Sequence, residues 1–223
     1  MPVITLSRQR GSMGSYIALE VADRLGWRYL DREILDSVAR LAGISTKAVE
    51  AIEEEGEPLA RMMNLLEAQP RLPGIASASL REERAREDQP QALAGGDGAY
   101  SPPAGYLDLL ASVIREYAAQ GQALIVGRGG HMILRGRPGL LRVQCIASFE
   151  ARVHNIVRRE EIAWHEAAQK VRLADEQRAG YMQRFYGVDW LDSGLYDLVV
   201  NTDSLPLTLA VDLVIQAAQV LEE

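Results

Sequence analysis

The strongest constraint on this chain is an alternation. Short, almost continuously apolar runs are separated by stretches in which apolar residues recur every three or four positions. The short runs are Val3-Ile4-Thr5-Leu6, Ala123-Leu124-Ile125-Val126, Leu141–Ala147 and Leu198-Val199-Val200, with Trp27-Arg28-Tyr29-Leu30 as a more polar fifth. Ile17, Val21, Ala22 and Leu25 mark a first helix closed by Gly26, and Ile34, Leu35, Val38 and Leu41 a second, between Asp31 and Gly43. Tyr106, Leu109, Leu110, Val113, Ile114 and Tyr117 mark another, followed by helices over about 149–160, 163–184 and 206–221. Strands that are apolar throughout bury both faces, so the pattern predicts an α/β fold, a parallel sheet with helices on both faces. Ligands of such sheets lie beyond the carboxyl ends of the strands.

With 223 residues the chain has the length of one generous domain. The periodicity degrades between about 59 and 103, where the mixed-charge run Arg81–Asp88 and Gly95-Gly96-Asp97-Gly98 read as a variable, mobile insert. Ser45 or Thr46 can cap a helix bearing Val49 and Ile52 before it. The longest apolar stretch, Leu205–Ala218, is interrupted by Thr208, Asp212 and Gln216, short of the ~20 residues of a membrane span. The N-terminus puts its apolar residues before its charges, the reverse of a signal peptide, so a cytoplasmic location without a membrane is expected. Cys145 stands alone in an apolar run and reads as a buried, inert thiol.

The net charge of −7 disfavours nucleic acid as a partner. Residues 122–172 nevertheless carry nine basic side chains (Arg128, Arg135, Arg137, Arg142, Arg152, Arg158, Arg159, Lys170, Arg172) against Glu150, Glu160, Glu161 and Glu166. That window is +5, leaving −12 for the rest. A local positive field in an acidic protein suits a nucleotide or other small phosphorylated ligand, although a solvated helix face reads the same way.

The turn Gly11-Ser12-Met13-Gly14, between the first strand and helix, can expose backbone N–H groups to an anion, or can simply be a tight turn. Gly127-Arg128-Gly129-Gly130 follows a strand but lacks the G-x-G-x-x-G and downstream acid of a dinucleotide site.

Ile4-Thr5-Leu6-Ser7-Arg8, Gly11-Ser12, Gly14, Ile17-Ala18 and Leu25-Gly26 resemble the opening of the cytidylate kinase-like family, a divergent branch of the P-loop nucleoside monophosphate kinases. Tyr29-Leu30-Asp31-Arg32-Glu33-Ile34 resembles its second motif and Val126-Gly127-Arg128-Gly129-Gly130 its third. Asp175, Arg178, Tyr181, Tyr186-Gly187, Asp189-Trp190, Tyr196-Asp197 and Asn201-Thr202-Asp203 resemble its C-terminal half. The likeness covers about 3–56 and 104–220.

The resemblance implies a three-layer P-loop NTPase-like domain with a mostly helical acceptor-binding insert at about 59–103 and a helical lid region at about 149–190. It implies ATP-dependent phosphoryl transfer to a nucleoside monophosphate, (d)CMP foremost, with ATP and Mg²⁺ as cofactors. It assigns Arg8, Arg10, Gly11, Ser12, Met13, Gly14 and Ser15 to the donor phosphates, and Asp31, Arg128, Asp175 and Arg178 to the acceptor, with Arg8, Arg128 and Arg178 catalytic. No protein metal ligand is identified, and the sequence leaves a homo-oligomeric state open. Arg152 and Arg159, two helical turns apart, read as a lid pair or as partners of Glu160. Asp31 reads as an acceptor or Mg²⁺ orienter or as an N-cap. His131 reads as a phosphate contact or as structural.

The chain departs from the kinase pattern G-x-x-G-x-G-K-G at the lysine, which is Gly14 here, and Ser15 stands where divergent members carry arginine. The aspartates flanking the Gly-Arg pair are Val126 and Gly129. A phosphoryl-transfer enzyme with a degenerate loop is therefore expected. The alternative is a catalytically impaired nucleotide- or phospholigand-binding regulatory protein that retains the fold.

Overall fold

The computed structural model describes residues 1–47, 49 and 104–221. Five strands, β1 (Val3–Arg8), β2 (Arg28–Leu30), β3 (Ala123–Val126), β4 (Leu140–Ile146) and β5 (Leu198–Asn201), form one sheet in the order β2-β3-β1-β4-β5. Every pairing is parallel, and Ile4 lies between Leu124 and Leu141 at the centre. The helices are α1 (Gly14–Leu25), α2 (Arg32–Ala42), α3 (Ala104–Gln120), α4 (Gly130–Ile133), α5 (Phe149–Glu160), α6 (Trp164–Tyr186) and α7 (Leu207–Val220).

The two-residue period of a strand divides the core into two layers. Val3, Ala123 and Ile125 face α2 and α3, meeting Ile34, Val38, Leu110 and Ile114. Ile4, Leu6, Leu124 and Val126 face α1 and α7, meeting Ile17, Val21, Val211 and Val214. Ile4, Leu6, Ile125 and Leu124 are wholly buried, each contributing about 1.5–3 kcal/mol of apolar transfer. This is the three-layer α/β architecture that the uninterrupted strands predict. A smaller cluster of Val153, Ile156, Ala167 and Val171 joins α5 to α6 as a hairpin.

The 59–103 insert lies outside the described residues, as does most of the helix expected around Val49 and Ile52. One helix escapes the periodicity. The Gly127–Gly130 segment reads as a turn, yet Gly129, at φ 66°, caps the single-turn α4.

Because β1 sits between β3 and β4, the chain crosses from one side of β1 to the other, and the carboxyl ends of β1, β2 and β3 open onto a shared crevice.

Candidate functional site

The crevice holds a cavity of about 740 Å³ bounded by residues 7–11 and 13–16, Asp31, Gly127–Gly129 and one face of α6. Its floor is the loop between β1 and α1. The loop's carbonyls point away from the cavity, where Ser12 Oγ donates to Gln9 O (2.9 Å), Asn155 Nδ2 to Gly11 O (2.9 Å) and Thr202 Oγ1 to Ser12 O (3.0 Å). Gly11, at φ 84°, lies so close to α5 that a Cβ there would be 2.5 Å from Arg152 O. At the head of α1, Met13 holds the N-cap position at φ 60° and makes no side-chain cap. The first-turn amides of Gly14, Ser15 and Tyr16, which a helix leaves without intrahelical acceptors, are thus available to an anion beside the cavity.

Above the loop stand guanidinium groups. Arg8, the last residue of β1, carries its side chain across Gly14, where a Cβ would be 2.6 Å from Arg8 Cβ and 2.9 Å from Cys145 Cβ. Its Nε then lies 3.4 Å from Ser15 Oγ and its Nη2 3.5 Å from Asp31 Oδ2. Arg128, a non-glycine residue at φ 52°, donates from Nη1 to Asp31 Oδ1 at 2.6 Å. Asp31 stands at the N-cap of α2 without capping it, so of the two readings of this residue the plain N-cap falls. Its carboxylate ties the end of β1 to the turn after β3.

The far wall is a stripe on α6, namely Ala174, Gln177, Arg178, Tyr181 and Met182. Arg178 packs on the Trp190 ring, its Cζ 5.2 Å from the ring centre, and its Nη1 is enclosed without a hydrogen-bond partner. Burial, with the nearby Arg8 charge, pushes its pKa down to about 10, so it remains a cation. Trp190 is itself anchored, because its carbonyl accepts from Gln144 Nε2 and from the Tyr196 hydroxyl, each at 2.8 Å. His131 also borders the cavity, 4% exposed and 4.9 Å from the Tyr196 ring. Burial, then the Arg142 charge, lowers its pKa to about 4. It is neutral at pH 7, which removes it as a charged phosphate contact.

Arg8, Arg10, Gly11, Met13, Gly14, Ser15, Asp31, Arg128 and Arg178 all line the cavity, joined by Arg159. Three expected residues do not. Ser12 is wholly buried with its hydroxyl turned onto Gln9 O. Asp175 accepts both bonds of Arg152 Nη1 (2.9 and 2.8 Å), and Arg152 is 5% exposed between α5 and α6. The expected lid pair is therefore split. Arg152 holds the hairpin together, while Arg159 lies at the rim, 2.8 Å from Glu160. Glu160 also meets Arg10 (3.0 Å) and Lys170 (3.1 Å), and these hydrogen bonds hold its pKa down near 2.

Sequence reasoning missed Trp190 as the backing of Arg178 and Gln177 and Met182 as wall residues. The signal for the wall lay in the 174, 177, 178, 181, 182 spacing of one helix face.

Magnesium, which the resemblance implies, has a poor donor set here. Among the described residues no group of three or more His, Cys, Asp or Glu could hold a metal ion. Asp31 is the one carboxylate among the cavity residues described, and both its oxygens are taken by arginines. The residues present do not fit a protein-held magnesium ion. Among the described residues no helix is long and apolar enough to cross a membrane.

Comparison with known proteins adds three findings. Residues 3–204 match the cytidylate kinase-like family. A cytidylate kinase of Methanopyrus kandleri is 30% identical over 96 residues, 40% of this chain, and the chain thus spans about half the length of that curated relative. The crystal structure of an uncharacterised protein from Eubacterium ventriosum superposes with a TM-score of 0.65 at 18% identity, covering 98% of each chain.

Proposed function

The chain belongs to the cytidylate kinase-like family, and on that premise we propose that it transfers the terminal phosphoryl group of ATP to a nucleoside monophosphate, with (d)CMP the first acceptor to test, in the cytoplasm. The observation that carries this reading is the cavity at the head of α1, in which, among the described residues, Arg8, Arg10, Arg128, Arg159 and Arg178 gather, Arg8 and Arg128 on Asp31 and Arg10 and Arg159 on Glu160 at the rim. Phosphoryl transfer requires little covalent participation by the protein. It requires an in-line geometry and cations where charge develops on the transferring oxygens.

In this reading the amides of Gly14–Tyr16 and the Arg8 guanidinium bind the donor phosphates. Arg128, which shares Asp31 with Arg8, and Arg178, on the α6 wall, bind the acceptor phosphate with paired N–H donors. Asp31 keeps Arg8 and Arg128 apart and oriented until phosphate oxygens replace its own. Trp190 behind Arg178 removes water from one face of that cation and strengthens its pull on an anion.

The test is ADP release from ATP with each nucleoside monophosphate in turn, with and without magnesium. Turnover with one pyrimidine nucleotide, falling in Arg178→Ala through a raised acceptor KM, is the expected result. A second reading, a nucleotide-binding regulatory protein without transfer, is favoured by Gly14, where the space a lysine would need is filled by Arg8 and Cys145. Ligand binding without ADP release in any combination would establish it.

A further inference from the structure

This inference rests on the reading of the cavity as a polyphosphate site and names the form of ligand it takes. Three oxygens at its rim have the chemistry to hold a divalent cation, the two of Asp31 and Ser15 Oγ in the first turn of α1. Arginine already reaches all three. Arg8 Nε and Nη2 lie 3.4 and 3.5 Å from Ser15 Oγ and Asp31 Oδ2, so its guanidinium sits between the two groups, and Arg128 holds Asp31 Oδ1 at 2.6 Å.

The position of Arg8 is built into the backbone. Its stem needs the missing Cβ of Gly14, 2.6 Å away, and its Nη1 fills the space above Gly127, 2.5 Å from where a Cβ would stand. A lysine at residue 14 and the Arg8 stem would compete for one volume. Magnesium requires near-octahedral oxygen ligation and gives up water reluctantly, and here it would enter a site in which, among the described residues, five lining arginines outnumber the two carboxylates that pair with them, Asp31 and Glu160. A metal-free polyphosphate carries more negative charge than its magnesium complex and matches that field better.

We propose that the Arg8 guanidinium stands in place of both the loop lysine and the divalent cation, so that the cavity takes the polyphosphate of its ligand in metal-free form.

The experiment titrates the full chain with inorganic tripolyphosphate and with ATP by calorimetry, each in EDTA and in excess magnesium. Binding in EDTA at least as tight as in magnesium is expected for both. Arg8→Met, which keeps the stem over Gly14 and removes the charge, is expected to weaken binding in EDTA by about tenfold or more. Magnesium is then expected to improve binding, because Ser15 Oγ and Asp31 Oδ2 are released. A urea midpoint and m-value for Arg8→Met close to those of wild type guard against a folding artefact at residue 8.

Tighter binding of wild type in magnesium than in EDTA overturns the proposal and leaves the kinase reading standing. Metal-free tripolyphosphate binding that depends on Arg8, with no binding of ATP, upholds the proposal and removes the kinase reading. No binding of tripolyphosphate under either condition overturns it, as does an Arg8→Met protein that binds in EDTA as wild type does.

Discussion

Arg8 and Gly14 share one space: the Cβ that residue 14 lacks would lie 2.6 Å from Arg8 Cβ and 2.9 Å from Cys145 Cβ. The atoms in the way are the roots of their side chains, which cannot swing aside. Gly14 opens α1 in a conformation open to any residue, so Ala would ordinarily stabilise the helix by about 0.5–1 kcal/mol. Here Gly14→Ala is expected to destabilise by about 1–3 kcal/mol, the cost of overpacking, seen as a lower urea midpoint at constant m-value. Gly14→Lys, which restores the familiar loop lysine, is expected to be no more stable and to gain no turnover.

Met13 occupies left-handed backbone at φ 60° at the head of the same helix. A side chain in that region costs roughly 1–2 kcal/mol, and glycine returns part of the gain through the entropy of the unfolded chain. Met13→Gly is expected to raise stability by about 0.5–1 kcal/mol in denaturant titration, with the cavity arginines undisturbed.

Arg152 and Asp175 tie α5 to α6 through two bonds from one nitrogen, with side chains 6% and 27% exposed. Removing the carboxylate strands a buried cation. Asp175→Ala is expected to cost about 2–4 kcal/mol, reduced from the fully buried case by the partial exposure of Asp175. Arg152→Met combined with Asp175→Ala is expected to recover more than half of that, since no unpaired charge remains. A double-mutant cycle reads the coupling directly. Additive losses would mean that the pair is not a unit.

His131 makes stability depend on acidity. Its pKa falls from 6.5 to about 4 on folding, chiefly through burial, so between those values the unfolded chain binds the extra proton. Stability is therefore fully present above pH 6.5 and declines as pH falls towards 4. The loss is about 3 kcal/mol at most, at ~1.4 kcal/mol per pH unit. His131→Phe, which keeps a ring against Tyr196, is expected to flatten the decline across that window in urea titrations at fixed pH. An unchanged slope would assign acid sensitivity to other groups.

The strand-and-helix alternation was legible in the sequence because burial on both faces of a parallel sheet leaves an unbroken apolar signature, and Val3-Ile4-Thr5-Leu6 and Ala123–Val126 carry it within a few residues each. The turn within 8–15 was legible as a glycine-bearing link between a strand and a helix, but such a turn also serves as a plain tight turn, and only the family resemblance assigned it to phosphates. α4 was not, because one helical turn is shorter than any periodicity.

What the sequence determined by itself is local: which segments are strands and helices, that a turn with Gly11 and Gly14 joins the first of each, and that arginines crowd residues 122–172. Which arginines face one another was decided by the tertiary structure. Arg8, Asp31 and Arg128 meet because the β2-β3-β1 order brings three strand ends together. Arg178 reaches the same cavity, and Arg152 does not, because Arg152 is claimed by Asp175 while Arg178 is backed by Trp190. Backbone periodicity is written in near neighbours along the chain. The partner of a charged side chain is selected by distance and burial across elements 23, 97 or 23 residues apart in these pairs, and no spacing rule along the chain encodes that choice.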